Sequence, residues 1–235
     1  MILSNDLKSL NLKGIIFDLD DTLYLEYDYV CSGFRAVSRH IAQLEAHLTG
    51  QAVYELLLET FHTYDRTKVF DTVLKKLGQN ADGQIIQELI MKYRCHRPTL
   101  DLPEGSKKIL EKLSGKYKLG LITDGTLPGQ RLKVESLGIE QYFDSIIYTE
   151  TLGRQYWKPS LAPFKKTAET LQLNHEDLIY IGDNPAKDFV APNKLGWYTL
   201  QIKRSRQAHS DNPVADNGAP NVIVSNLLDA LSALF

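Results

Sequence analysis

Three aspartates stand within four residues at the end of an apolar run. In GIIFDLDDTL, Gly14 to Leu23, the residues Asp18, Asp20 and Asp21 follow directly on Gly14, Ile15, Ile16 and Phe17. In an extended chain, residues two apart project to the same side, so Asp18 and Asp20 crowd together where the strand ends. Two carboxylates about 4 Å apart repel by roughly 1 kcal/mol in water and by about 4 kcal/mol in a partly buried site. A shared proton or a cation must offset that repulsion, and a divalent metal answers it best. A calcium loop opening at Asp18 needs Gly at its sixth position and Glu at its twelfth, where this chain has Leu23 and Tyr29. A plain turn or helix cap uses one acid rather than three.

The run before the acids has no polar face, as expected of a strand buried between two layers of helix. After Leu23 the pattern turns helical for some seventy residues. YDYVCSGFRAVSRHIAQL, AVYELLLETFHTY, VFDTVLKKLG and GQIIQELIMKYRC carry apolar residues at three- and four-residue spacing, and Gly78 and Pro98 supply stop signals. These segments read as a helical module, residues 27–97, inserted into a domain made of residues 1–26 and 98–235. From Asp101 the texture alternates. SKKILEKLSG and QRLKVESLG read as helices around the buried strand KLGLIT, and Gly138 sits where a left-handed residue ends a helix. DSIIYT, LIYIGDN, WYTLQI and NVIV read as further strands, APFKKTAETLQL as an amphipathic helix, and Ser225 as the cap of a last helix. Strands alternating with helices imply an α/β fold, a Rossmann-like three-layer core with a parallel sheet and right-handed crossovers.

Polar clusters recur at one topological position. Asp18 to Thr22, Thr123 to Gly125 and Gly182 to Asp188 each follow a buried strand, and Lys158 with Pro159 lies in a loop between elements. In an open parallel sheet the carboxyl ends of the strands share an edge, and ligands bind there where strand order reverses. Carboxylates, a hydroxyl with free backbone amides and a lysine, brought together, suit a phosphate dianion and a magnesium ion.

The ordered set DLDDT, ITDG, WKP and GDNPAKD resembles the four motifs of the haloacid dehalogenase superfamily of phosphohydrolases, and the inserted helices resemble that family's first class of cap. The resemblance implies a magnesium-dependent hydrolase of a small phosphomonoester. It makes Asp18 the nucleophile, Asp20 the acid and then the base, and Lys158 the charge-neutralising residue. Thr123 and the amide of Asp124 would hold phosphate oxygens, and Asp18, the Asp20 main-chain carbonyl and Asp183 would hold magnesium. Asp188 would orient Lys158 or a metal-bound water, and Thr22 would hold the loop. Asp20 argues against dehalogenation, because relatives with that chemistry lack the second acid. A phosphomutase on the same core, and a non-catalytic binding protein that retains the fold, are the alternatives.

The chain departs from the family pattern at Asp124, where many relatives carry Asn; pointing outward, its side chain would cost nothing. Trp157 reads as filling a loop pocket rather than stacking on a substrate, and Lys203, Arg204 and Arg206 read as a solvated loop. Arg35 and Arg94 are the candidates for leaving-group recognition in the helical module. Composition sets the outer bounds. With 235 residues, 43% hydrophobic, and a net charge of −2, the chain suits a small-molecule partner rather than nucleic acid or an anionic membrane. Cys31 and Cys95 lie far apart without a CxxC pairing, as expected of free thiols in a cytoplasmic protein. The six histidines have no partners at ligand spacing, and nothing in the chain indicates an oligomeric state.

Overall fold

A computed structural model describes residues 11–44, 47–204 and 212–229. They fall into two compact units, one within Met1–Glu26 and Asp101–Phe235, the other Tyr27–Leu100.

The first unit is built on β1 (Gly14–Phe17), β2 (Lys118–Thr123), β3 (Ser145–Tyr148), β4 (Leu178–Gly182), β5 (Tyr198–Ile202) and β6 (Val222–Val224). All pairings are parallel and the strand order is β3-β2-β1-β4-β5-β6. Every residue of β1 and β4 is buried. That burial explains their unbroken apolar sequences, since a central strand with helices on both faces has no solvent side. Phe17 stands level with Leu121 on one neighbour and Ile181 on the other, so β1, β2 and β4 end close to one level. Strand order reverses between β1 and β4, which makes the carboxyl end of β1 the switch point of the sheet.

On one face of the sheet, Ile16, Ile122 and Tyr180 pack with Phe164, Ala168 and Leu171 of a helix at Ala162–Leu171. The Phe164 ring meets Tyr180 edge-on at 5.0 Å between centroids and Trp197 at 5.6 Å. Ile15, Phe17, Leu119 and Leu121, one residue out of phase, are buried on the opposite face.

Beyond Phe17 the chain turns tightly. The Leu23 amide bonds back to the Leu19 carbonyl at 3.0 Å, Asp21 adopts a left-handed φ of 56°, and the Asp21 carboxylate accepts the Glu26 amide at 2.9 Å. Asp and Asn tolerate that conformation better than other side chains do, because their short polar groups bond locally. The Ser106 hydroxyl, at 2.5 Å from the Leu23 carbonyl, ties down the exit of the turn.

The second unit is helical: α1 (Glu26–Leu44, beginning one residue before the unit), α2 (Gly50–Thr63), α3 (Val69–Lys76) and α4 (Gly83–Arg94). Thr49 caps α2 through the Ala52 amide at 3.2 Å, and Asp82 caps α4 through the Gln84 and Ile85 amides, both at 2.9 Å. Val30, Phe34, Val37, Leu57, Val73 and Leu89 form its core, with the Phe34 ring edge-on to Phe61 and Phe70. Returning to the first unit, Gly138 ends the helix at Gly129–Leu137 with a φ of 62°, as its position predicts. One expectation is corrected at the other end. The last described helical turn is capped by Asn226, whose side-chain oxygen accepts the Asp229 amide at 3.0 Å, because Ser225 spends its hydroxyl on the Asp229 carboxylate instead. No helix among the described residues is long and apolar enough to cross a membrane.

Phe164 fills the space between the sheet and its covering helix, so Phe164→Ala removes the ring from a site with no exposed surface. A loss of about 3–5 kcal/mol is expected, read as a lower urea midpoint of the unit that contains the sheet.

Candidate active site

The four sequence clusters meet at the switch point. Asp18 is the first residue past β1, and its amide bonds to the Ile181 carbonyl at 2.8 Å, which fixes it between β1 and β4. Its carboxylate takes a short bond from the Lys158 ammonium. Lys158 Nζ also lies 2.7 Å from Asp188 Oδ1 and donates to the Tyr180 hydroxyl at 3.1 Å, and its side chain has no exposed surface. Burial alone would lower the lysine pKa, but Asp18 and Asp188 outweigh it and hold the ammonium well above its usual range.

Asp183 and Asp188 leave the end of β4 in one short loop. Asp188 Oδ2 accepts the amides of Asp183 at 3.2 Å and Asn184 at 2.9 Å, so this carboxylate shapes the loop with one oxygen and faces Lys158 with the other. Gln201 on β5 donates to the Asp183 carbonyl at 2.8 Å. Ligand atoms of Asp18, Asp183 and Asp188 lie within 4.8 Å of one another, and all three residues are buried. Among the described residues, Asp183 Oδ2 has no hydrogen-bond partner although it is buried. Burial pushes the Asp183 carboxyl up to about 9, with the negative charges of Asp188 and Asp18 adding to it, and burial pushes Asp18 up to about 7 against the opposing pull of Lys158. Carboxyls so displaced await a proton or a cation. An all-oxygen donor set of this kind suits a hard divalent ion such as magnesium.

Asp20 goes elsewhere. Its side chain turns to Tyr24, whose hydroxyl donates a short bond to Oδ1, to Lys133 Nζ at 2.7 Å from the same oxygen, and to Gln130 Nε2 at 2.8 Å from Oδ2. Burial, which alone would raise it, is outweighed by Lys133 and these hydrogen bonds, so the Asp20 carboxyl lies below its usual range. Gln130 Nε2 also reaches Thr123 Oγ1 at 2.5 Å, linking the hydroxyl at the end of β2 to Asp20.

The Asp124 side chain does not point outward. Its Oδ1 accepts from Thr149 Oγ1 at 2.9 Å and from the Lys158 amide at 3.1 Å, and its Oδ2 accepts from Lys187 Nζ at 3.0 Å. Lys158 and Lys187 overcome the effect of burial and hold it below the usual carboxylate range. The charge that Asn would lack is therefore answered by a lysine from the fourth cluster.

Trp157 is a loop residue in the sense expected: its ring nitrogen donates to Glu150 at 3.0 Å, and Arg154 lies over the ring at 5.5 Å. Arg204 is less solvated than expected, because its guanidinium donates to the Thr22 carbonyl at 3.1 Å; Arg206 lies outside the described residues. Thr22 is fully buried within the turn. Tyr24, Gln130, Lys133, Thr149, Tyr180 and Lys187 are the site residues that motif reading missed. For Gln130 and Lys133 a signal exists, since they share spacing with Val134 and Leu137 on the buried face of their helix.

The raised carboxyls carry a stability consequence. A carboxyl whose folded pKa lies above its unfolded value favours the fold below the unfolded pKa, and that contribution is lost as pH rises through the folded pKa. For Asp183 the window runs from the ordinary value of 3.8 to about 9. In chelator, Asp183→Asn is therefore expected to match wild type near pH 4 and to melt at least about 2 °C higher near pH 8. Thermal melts across that range check it, and a variant that melts lower at pH 8 would contradict a raised Asp183 carboxyl.

Known proteins place the chain in company consistent with this geometry. The family model described as haloacid dehalogenase-like hydrolase matches residues 15–202. A glyceraldehyde 3-phosphate phosphatase of Methanocaldococcus jannaschii is 30% identical over 83% of this chain and 86% of its own length. A phosphatase of the same name from Methanopyrus kandleri is 26% identical over 95% of this chain and 98% of its own. Among solved structures, a HAD-hydrolase of Bacillus subtilis bound to magnesium superposes with a TM-score of 0.66 at 20% identity, covering 95% of this chain and 98% of that one. The chain belongs to the haloacid dehalogenase-like hydrolase family, and it is an enzyme of the phosphatase kind.

Proposed function

We propose that this protein hydrolyses a small phosphorylated metabolite with the help of magnesium, through a phosphoryl group carried on Asp18. The observation that carries the reading is the separation of two neighbouring carboxylates: Asp18 is held by Lys158 beside Asp183 and Asp188, while Asp20 is held by Lys133 and Gln130 beside Thr123. Two acids in unlike surroundings suit two unlike roles.

An Asp18 carboxylate oxygen attacks phosphorus, and the bond from phosphorus to the ester oxygen breaks with its electron pair on that oxygen. Asp20 gives the departing oxygen a proton. The Thr123 hydroxyl and the Asp124 amide hold phosphate oxygens, and Lys158 balances the charge on nucleophile and phosphoryl group. Water then attacks the phosphoryl group on Asp18, Asp20 takes a proton from that water, and inorganic phosphate leaves as the Asp18 carboxylate re-forms. The depressed pKa of Asp20 suits the second step. In the first step the negative charge of an entering phosphate favours the protonated form. Asp18, Asp183 and the Asp20 main-chain carbonyl would hold magnesium, which when bound supplies positive charge to the buried carboxylates and to the phosphate oxygens.

Choice of ester is assigned to the helical segment, residues 27–97, as a cap, because the four motifs all lie in the other unit. Arg35, whose guanidinium lies 4.6 Å over the Tyr54 ring, is an exposed cation there that can pair with an anionic leaving group. Glyceraldehyde 3-phosphate, named for the relatives, heads the substrate panel.

Asp18→Asn is expected to stay folded by circular dichroism and to lose at least about 1000-fold in phosphate release, since the amide is no nucleophile. Near wild-type turnover would overturn the mechanism. Chelation should stop wild-type activity, magnesium should restore it, and calcium should do so poorly because it prefers more ligands at longer distance. Arg35→Ala should reorder a panel of phosphorylated metabolites while changing the rate on an aryl phosphate less; an unchanged ranking would count against the assignment.

A further inference from the structure

Lys133 is a lysine in an unusual place. Its side chain is 5% exposed, on a helix where neither the motifs nor the metal-competent cluster needs a cation. An ion pair this well buried is weak evidence of a stabilising role, because an apolar pair of similar volume commonly does as well. Gln130, one turn earlier on the same face, is likewise buried. Both end on Asp20, and Gln130 also ends on Thr123. Room for that glutamine is kept by Gly125, whose φ of 143° excludes most side chains and where a Cβ would lie 2.7 Å from the Gln130 side-chain carbons.

A carboxylate has about four acceptor directions. On Asp20, Tyr24 and Lys133 occupy Oδ1, and Gln130 occupies one direction on Oδ2. Among the described residues nothing takes the second direction on Oδ2, the oxygen that Gln130 ties to Thr123.

We propose that Lys133 and Gln130 are positioning residues for proton transfer, fixing Asp20 so that Oδ2, protonated in its one open direction, points that proton at the ester oxygen of a phosphate held at Thr123. The inference rests on the reading of Asp20 as the acid. As the bond from phosphorus to the ester oxygen breaks, its electron pair stays on that oxygen, which takes the proton from Asp20 Oδ2; the carboxylate left behind keeps Lys133 as its counter-charge. Neither residue touches the substrate.

Proton donation matters for a poor leaving group and hardly at all for a good one, so two substrates separate positioning from mere structure. The test measures kcat/KM, which reports the steps through release of the first product, for ethyl phosphate and for 4-nitrophenyl phosphate. It compares wild type, Lys133→Met, Gln130→Met and Asp20→Asn. Lys133→Met is expected to lose about 100-fold on ethyl phosphate and less than about 5-fold on 4-nitrophenyl phosphate. Gln130→Met is expected to lose about 10-fold and about 2-fold, respectively, and it decides the question if Lys133→Met does not fold. Equal losses on both substrates, or none on either, in variants that fold would overturn the proposal. If Asp20→Asn shows the leaving-group dependence and the α-helical variants do not, only the positioning role fails. If Asp20→Asn shows none, Asp20 is not the acid, and the mechanism proposed above falls together with this inference.

Discussion

Like charge buried at one edge of a parallel sheet is the constraint on which the rest of this structure depends. Asp18, Asp20, Asp124, Asp183 and Asp188 stand around the switch point with Lys133, Lys158 and Lys187 among them. Five carboxylates against three ammonium groups leave these side chains with more negative than positive charge. Two of the carboxyls, Asp18 and Asp183, are the ones pushed up, to about 7 and about 9. Both face the metal-competent cluster, while Glu26, pushed up to about 7 by burial and by Asp20, lies outside that cluster. A divalent cation held by Asp18 and Asp183 would answer their charge without a proton on either group.

The fold meets this constraint with backbone as much as with side chains. Asp188 takes two successive amides of its own loop, the Asp21 carboxylate takes the Glu26 amide, and Asp124 takes the Lys158 amide. Hydrogen bonds to ionised groups are about twice as strong as neutral ones, so each acid also fixes the loop that carries it. Gln201 and Arg204, from β5 and just beyond it, bond to the carbonyls of Asp183 and Thr22 and brace the same loops from behind. Lys158 joins the loops by meeting Asp18, Asp188 and Tyr180 at once. Its position matters more than its flexibility, since its side chain has no exposed surface.

Much of this was legible because the central strands are apolar without interruption and end abruptly in polar residues. A run such as LIYIGDN announces both the strand and the point where its chemistry begins. What escaped were residues whose role is set by which way a helix faces. Lys133 in QRLKVESLG reads as one more charged residue of an amphipathic helix, yet it shares the buried face with Gln130, Val134 and Leu137. A polar pair in phase with apolar positions is a signal, and it is meaningful only once a partner such as Asp20 is known to lie opposite. Tyr180 escaped for the opposite reason. Its aromatic ring fits a buried strand so well that nothing marks the hydroxyl as a partner of Lys158. Arg204 reads as solvated because a basic run after a strand usually is, and only tertiary structure brings Thr22 within its reach.

The departure at Asp124 shows how these parts depend on one another across the chain. An asparagine there is neutral and could meet Thr149 and the Lys158 amide without further support. The aspartate brings a charge into a place where its side chain is 5% exposed, and a charge so placed must be paired. The pairing comes from Lys187, inside GDNPAKD and 63 residues away. Lys187 is consequently engaged at the site by a carboxylate as well as by the general attraction of Asp18 and Asp188. The second and fourth motifs are therefore coupled by charge in this chain, and a change at Asp124 alters the work that Lys187 has to do. Reading either motif by itself misses the coupling, because the acid looks like a conservative replacement and the lysine like a surface residue.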